Sequence, residues 1–258
     1  MAIKISVLAS SSSGNCTFIA TSRVRILLDA GISPTQIRKR LHSIGESLDQ
    51  LDAVVVSHEH TDHVNGLTSL LNKKNIPVYI ARDTLEAISP RVICERVEFI
   101  KAGQDFWIQD LSIHAFSIPH DATNPLGFCF EAEGVRIGHV TDLGYLTELV
   151  IQRLKGCDAM VLESNHDLEM LKVGPYPWPL KQRIMSRHGH LSNDVVGRFL
   201  TGEFDGAARH IVLAHLSENN NHPDIVRMVA AQALEPRGFD LENLHVASKS
   251  APSPMICL

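Results

Sequence analysis

The chain of 258 residues has no apolar run approaching the ~18 residues that a membrane span requires. Its opening stretch, Met1 to Leu8, is too short and too polar for a secretory signal. Five cysteines (Cys16, Cys94, Cys129, Cys157 and Cys257) are scattered, odd in number and never in a C-x-x-C pair, which excludes a disulfide framework and a zinc finger. They read as small buried hydrophobes in a reducing compartment, so the expected location is the cytoplasm. No excess of basic residues announces a nucleic-acid binder, because the net charge is −5. A local basic patch with bound dications would still reverse the field at one site. Neither G-x-S-x-G nor G-x-x-x-x-G-K occurs, so the strained serine elbow and the phosphate-binding P-loop are both missing.

Apolar residues and histidine are plentiful. Hydrophobic residues make up 44% and charged residues 21% of the chain, enough for a sizeable core in one domain spanning residues 1–258. Fourteen histidines are present, and several close predicted strands. The densest group is Val55-Val56-Ser57-His58-Glu59-His60-Thr61-Asp62-His63-Val64-Asn65-Gly66. An apolar strand ends there in imidazoles and a carboxylate, the donors that borderline divalent metals prefer. His58 and His60 alternate along extended chain and point the same way. Asp62 and His63 follow at the turn toward a helix and suit a second ion.

Strand patterns cover residues 3–8, 17–20, 24–28, 53–56, 78–80, 111–117, 127–131, 135–140, 159–162 and 211–214, and helical periodicity fits 35–43, 64–72, 146–154, 194–200 and 223–234. The mixture predicts an α/β fold. The tail 248–258, with Pro and Ser, is expected to be loosely held. A weak internal echo aligns Asp52–His60 with Asp158–His166, and Arg25–Gly31 with Arg136–Gly144. Each pairs a buried strand with a polar end, as in two similar halves.

Three more strand ends carry candidate ligands: His120 after Pro119, Asp142 before Gly144, and His215 after Ala214. His58, His60 and His120 are assigned to one ion, Asp62, His63 and His215 to a second, with Asp142 bridging. Nitrogen and oxygen donors of this kind suit two divalent metal ions, Zn, Mn or Fe. Spacing alone reaches a two-metal hydrolase and no further.

The order H-x-H-x-D-H, a lone His, a strand-ending Asp and a late strand-ending His resembles the signature of the metallo-β-lactamase fold. More narrowly, the chain is similar to the YycJ/WalJ group of that superfamily, described as DNA exonucleases. The likeness runs through Ser10–Asn15, His58–Gly66, Pro119–Ala122, Thr141–Tyr145, Leu162–Asp167, Gly174–Trp178, Gly189–Asn193 and Ala214–Ser217. It implies a four-layer αβ/βα sandwich and phosphodiester hydrolysis at a DNA 5′ end, single- or double-stranded. In the mechanism so implied, Asp62 orients a metal-bridging hydroxide for in-line attack on phosphorus. His190, in the Gly189–Ser192 turn, protonates the leaving oxygen, and Glu163 orients that imidazole and raises its pKa.

Between Lys172 and Asn193 no acidic residue occurs, while Lys181, Arg183 and Arg187 are basic and Tyr176 and Trp178 stand among prolines. Cations on phosphates with aromatics on bases make a sequence-tolerant nucleic-acid groove. Ser12 and Asn15 of the serine loop, and His166, are further candidates for phosphate contact. Arg38-Lys39-Arg40 reads as a solvated helix face. Three other readings stay open: a small-molecule hydrolase such as a thioesterase or cyclic phosphodiesterase, an RNA-processing nuclease, and a metal-stabilised nucleic-acid-binding protein without activity.

Overall fold

A computed structural model describes residues 3–89 and 92–258; Met1, Ala2, Pro90 and Arg91, and with them the start of the N-terminal reading, lie outside the described residues. The chain divides into two compact units, residues 1–117, 122–135 and 248–258 in the first and 118–121 and 136–247 in the second.

The first unit is built on a sheet of seven strands in the order β14-β1-β2-β3-β4-β5-β6, with β1 Lys4–Ala9, β2 Cys16–Ala20, β3 Arg25–Leu28, β4 Ala53–Val55, β5 Val78–Ala81, β6 Val97–Ile100 and β14 Ile256–Cys257. β3 through β6 run parallel, and β14, β1, β2 and β3 pair antiparallel. The strands β2 and β4 are buried along their whole length, and for β4, parallel to both neighbours, that is what a parallel-sheet interior requires. Ser33 caps α1 (Pro34–Ser43) through a reciprocal box with Gln36, with Pro34 pre-set for the first turn. Ile37 and Leu41 of α1 then join the core around Phe18, Leu27 and Val54. An antiparallel meander completes this unit: β7 Asp105–Ile108, β8 Leu111–Ser117 and β9 Leu126–Ala132.

The predicted helix at 64–72 is two helices, α2 (Thr61–Val64) and α3 (Leu67–Leu71). The break falls at Gly66, whose N–H bonds Ala30 O and whose Cβ, were it present, would lie 1.9 Å from Ile32 O. The chain is pressed against the loop after β3, and only glycine fits. A helix α4 (Arg82–Ile88) and the strands β6 and β7 were not foreseen; Glu98 and Asp105 interrupt their apolar pattern at exposed positions. The tail is ordered rather than loose. Ser253 N–H donates to Val7 O and Ser253 Oγ accepts from Val7 N–H, both at 2.9 Å, Ser6 Oγ donates to Ser253 O at 2.8 Å, and β14 pairs with β1.

The second unit holds four parallel strands, β10 Val135–Val140, β11 Ala159–Glu163, β12 His210–Ala214 and β13 Leu244–Val246. Its helices are α5 Glu148–Leu154, α6 Leu168–Val173, α7 Trp178–Ile184, α8 Asn193–Gly202 and α9 Pro223–Leu234. The fold class read from the sequence is the one observed, α/β with mixed sheets flanked by helices.

The internal echo is structural. In the first unit Arg25 N–H donates to Asp52 Oδ2 at 2.8 Å and Asp52 N–H returns to Arg25 O at 2.8 Å. In the second, Arg136 N–H donates to Asp158 Oδ2 at 2.9 Å and Asp158 N–H returns to Arg136 O at 2.7 Å. The same carboxylate sets the register of a parallel pair twice, with Ile26 beside Ala53 and Ile137 beside Ala159.

Candidate metal and catalytic centre

In the first unit β4 delivers Ser57 and His58 just past its C-terminal end, where open α/β sheets place their ligands. His60 is the N-cap of α2, and Asp62 sits in its first turn. His58 lies with its ring centroid 4.7 Å from His60 and 4.0 Å from His63. His63 is wholly buried, and its Nδ1 meets Asp29 Oδ2 at 2.7 Å. Asp29 also accepts from Ser57 N and Ser57 Oγ, both at 2.8 Å. A carboxylate on Nδ1 fixes the proton there and leaves Nε2 as the donor atom for a metal. His63 Nε2 faces Asp62 Oδ2 at 3.4 Å. His58 uses Nδ1 on Ser57 Oγ at 2.9 Å, the same device with a hydroxyl. Sequence reasoning missed Asp29. Its signal was the echo: Asp29 stands at the end of β3 as Asp142 stands at the end of β10.

In the second unit one buried carboxylate organises the site. Glu163 is completely covered at the end of β11. Its Oε1 accepts from His190 Nδ1 at 2.9 Å, His215 Nδ1 at 2.8 Å and Asp142 N at 3.3 Å. Its Oε2 accepts from Leu143 N at 3.1 Å and Leu191 N at 2.9 Å. Burial favours the neutral acid, yet the charge and hydrogen bonds of His190 and His215 prevail and hold the carboxyl below its ordinary range. Burial lowers the pKa of His190, but the Glu163 charge and hydrogen bond outweigh it, so the imidazole is raised. Asp142, Glu163, His190 and His215 offer ligand atoms all within 4.8 Å of one another. His120 gives Nδ1 to Gly189 O at 3.2 Å, which turns Nε2 toward Asp142 Oδ1 at 3.9 Å. Burial keeps its pKa below the usual histidine value.

Backbone strain marks the same residues. Asp29, Asp142 and His215 adopt left-handed φ of 62°, 61° and 58° without being glycine. Such conformations cost of order 1–3 kcal/mol each and persist where the surroundings enforce them, most often at functional sites. Each occurs where a strand ends and the side chain must turn into the cluster. The donor set fits divalent cations: His63, His120 and His215 each have Nδ1 engaged by oxygen, which directs any metal to Nε2, beside buried carboxylates; His63 Nε2 lies 3.1 Å from Asn15 Nδ2.

The family described as a beta-lactamase superfamily domain matches residues 24–215. The chain is 34% identical over 242 residues to the exodeoxyribonuclease YycJ of Bacillus anthracis, covering 93% of this chain and 92% of that one. It is 33% identical over 236 residues to the exodeoxyribonuclease WalJ of Streptococcus pneumoniae, covering 90% and 88%. The chain belongs to the metallo-β-lactamase-fold superfamily. Among solved structures, the metallo-β-lactamase fold protein YhfI of Bacillus subtilis superposes with a TM-score of 0.74 at 16% identity, over 97% of this chain and 98% of that one. The protein is thus a metal-dependent hydrolase of this superfamily, with His/Asp clusters compatible with divalent cations. No helix among the described residues is long and apolar enough to cross a membrane.

The basic and aromatic segment of this metallo-β-lactamase-fold protein differs from its sequence reading. Lys181 is a brace rather than a phosphate contact: it is 7% exposed, and its Nζ donates to Lys172 O at 2.7 Å and Gly174 O at 2.8 Å. Its ammonium holds the segment before α7 in place. Arg183 is exposed and paired with Asp121, and Arg187 lies 4.4 Å over the Tyr145 ring. Trp178 stands 59% exposed at the start of α7, while the Tyr176 hydroxyl accepts from Asn219 at 3.0 Å. Ser12 is exposed. Asn15 turns inward: its Oδ1 accepts from Ser11 N at 3.1 Å and its Nδ2 donates to Asp62 Oδ2 at 2.9 Å, so it positions a candidate ligand instead of presenting itself to phosphate. His166 is 2% exposed, and burial drops its pKa to about 4, so it stays neutral and carries no charge for a phosphate. Arg40 is buried, against the expected solvated face.

Proposed function

We propose that the protein is a DNA exonuclease, acting at a 5′ end, that works with two divalent cations held by His58, His60 and His120 and by Asp62, His63 and His215, with Asp142 shared. Residues 1–258 act as one functional domain in this reading. The support is chemical. Each candidate imidazole with an engaged Nδ1 would meet a metal through Nε2, and two relatives matched over 93% and 90% of this chain carry the name exodeoxyribonuclease. When bound, such cations supply Lewis acidity toward water and phosphate.

The chain's own groups do the rest. Asp62, placed by the α2 first turn and by Asn15, orients the attacking water in line with the scissile bond. The observation that carries the reading is the His190–Glu163 pair. Glu163 grips Nδ1, so the proton on Nε2 is the one presented outward, and the anion beside it raises the pKa of the ring and so favours its protonated form. His190 then delivers it to the departing oxygen. Arg183, Arg187 and Trp178 remain exposed on their segment and are assigned to the bound strand.

The test uses 5′- and 3′-labelled single- and double-stranded DNA and RNA, with Mn²⁺ and with Zn²⁺, on the wild type and His190→Ala. Mononucleotide release from the 5′ end of DNA is expected. The variant should lose ~10²–10⁴-fold on DNA and much less on a nitrophenyl phosphodiester, whose leaving group needs no proton. Equal losses on both substrates would refute the acid role, and selective cleavage of RNA would overturn the DNA assignment.

A further inference from the structure

The first unit contains a groove of about 670 Å³, lined by the Ser11–Gly14 turn, by Ser33, Lys39 and Arg40 of the α1 region, and by Lys249–Pro252. Its size falls within the roughly 300–1,000 Å³ of ligand clefts. The lining is unusual for an acidic protein. Lys39, Arg40 and Lys249 contribute three cations and, among the described residues, no carboxylate lines the groove, in a chain of net charge −5. Hydroxyls of Ser11, Ser13, Ser33, Ser43 and Ser250 and the amides of Gln36 and Asn65 supply hydrogen-bond donors, and no aromatic ring lines it among the described residues.

Arg40 is the decisive residue. It is 8% exposed, and its guanidinium donates to Leu8 O and Lys249 O, both at 2.8 Å. No carboxylate pairs with it among the described residues. A buried cation without a counter-ion is expensive, and it lowers the cost of bringing an anion to the groove. Lys39, exposed on the adjacent position, makes no ion pair among the described residues. The ten-residue helix α1 lines the same space along one side, from its Ser33 cap through Gln36, Lys39 and Arg40 to Ser43.

The groove adjoins Asp62 within the first unit. Asn15, at the end of the serine turn, binds the Asp62 backbone carbonyl at 2.7 Å, Gly31 packs against that same carbonyl, and Asn65 of the groove follows α2 directly. We propose that this groove holds the sugar–phosphate backbone of the DNA strand, its next phosphates following the one at the reaction centre; this rests on the exonuclease reading. Cations and hydroxyls without rings grip phosphates and leave bases unread, so the contact is sequence-independent.

The experiment measures binding of a fluorescein-labelled phosphorothioate oligothymidylate to the metal-loaded protein across a salt series, for wild type, Lys39→Ala/Lys249→Ala, Lys39→Glu, and Lys155→Ala as a control outside the groove. Each lost contact lowers the slope of log K against log salt by about 0.7. The double variant should therefore bind about 25-fold more weakly at 0.1 M salt, from the two slopes combined. Lys39→Glu should weaken binding further per residue than alanine, and Lys155→Ala should match the wild type. Turnover of a nitrophenyl phosphodiester should be unchanged in all variants. An unchanged affinity and slope in the double variant, with DNA still cleaved, overturns the groove and leaves the exonuclease reading standing. Displacement of the oligonucleotide by inorganic phosphate at equal phosphate concentration marks a single-anion site and also overturns it. A wild type that turns over the small diester yet neither binds nor cuts DNA refutes the exonuclease reading itself.

Discussion

Replacing Glu163 by glutamine tests the organisation of the second cluster most directly. Five N–H groups converge on the two carboxylate oxygens: three on Oε1, from His190, His215 and Asp142, and two on Oε2, from Leu143 and Leu191. Glutamine keeps one acceptor oxygen and adds an N–H₂. The better orientation puts the new oxygen at the Oε1 side and turns the amide nitrogen toward Leu143 N and Leu191 N. Two buried donors then lose their acceptor, at ~1–3 kcal/mol each, or about 2–6 kcal/mol together. The opposite orientation strands three and is worse. Urea unfolding of the two proteins should show the midpoint of Glu163→Gln falling with the slope m unchanged. The pH dependence follows from the same pairing. Because the folded carboxyl titrates below its ordinary range, its stabilisation is complete above the unfolded pKa and fades as pH falls toward the folded one. The wild type should therefore lose stability across that acidic window, and the glutamine variant should show a flatter profile there. A midpoint shift worth less than ~1 kcal/mol would refute the claim that these backbone donors depend on a buried acceptor.

Two further outcomes follow from the first cluster. Asp29→Asn puts an amide N–H₂ against His63 Nδ1, forcing the proton to Nε2 and removing its lone pair; metal affinity by calorimetric titration should drop ~10–100-fold, and an unchanged affinity would mean His63 does not bind metal through Nε2. Gly31→Ala places a Cβ 1.7 Å from Asp62 O, a backbone atom that cannot yield cheaply, so melting temperature and metal binding should both fall, and a variant indistinguishable from wild type would show that this contact is not closed in solution.

Much of the site was legible because its ligands close strands. An apolar strand buried on both faces advertises itself by composition, and a histidine or aspartate at its end has no packing reason to be there. His58, His63, His120, Asp142 and His215 were singled out as candidate ligands in that way, and the His190–Glu163 pair as a candidate acid from a polar turn and a strand end. Surface segments were less legible. Lys181 and Asn15 read as solvent-facing from residue type alone, whereas the fold turns Lys181 onto two carbonyls and Asn15 onto Asp62. The echo between Arg25–Asp52 and Arg136–Asp158 was visible as similarity, and only paired strands showed it to be one hydrogen-bond exchange used twice.

Taken alone, the order of residues determined the fold class and the ligand types, because periodicity and strand-end chemistry are local properties that survive without neighbours. It did not determine which nitrogen of each imidazole is gripped by oxygen, that Asp29 and Glu163 set the tautomers of His63, His190 and His215, or that Arg40 lies buried beside a groove with no carboxylate paired to it among the described residues. Those depend on groups distant in sequence meeting in space, where burial removes water and the hydrogen bonds that remain decide the charge and proton of every side chain.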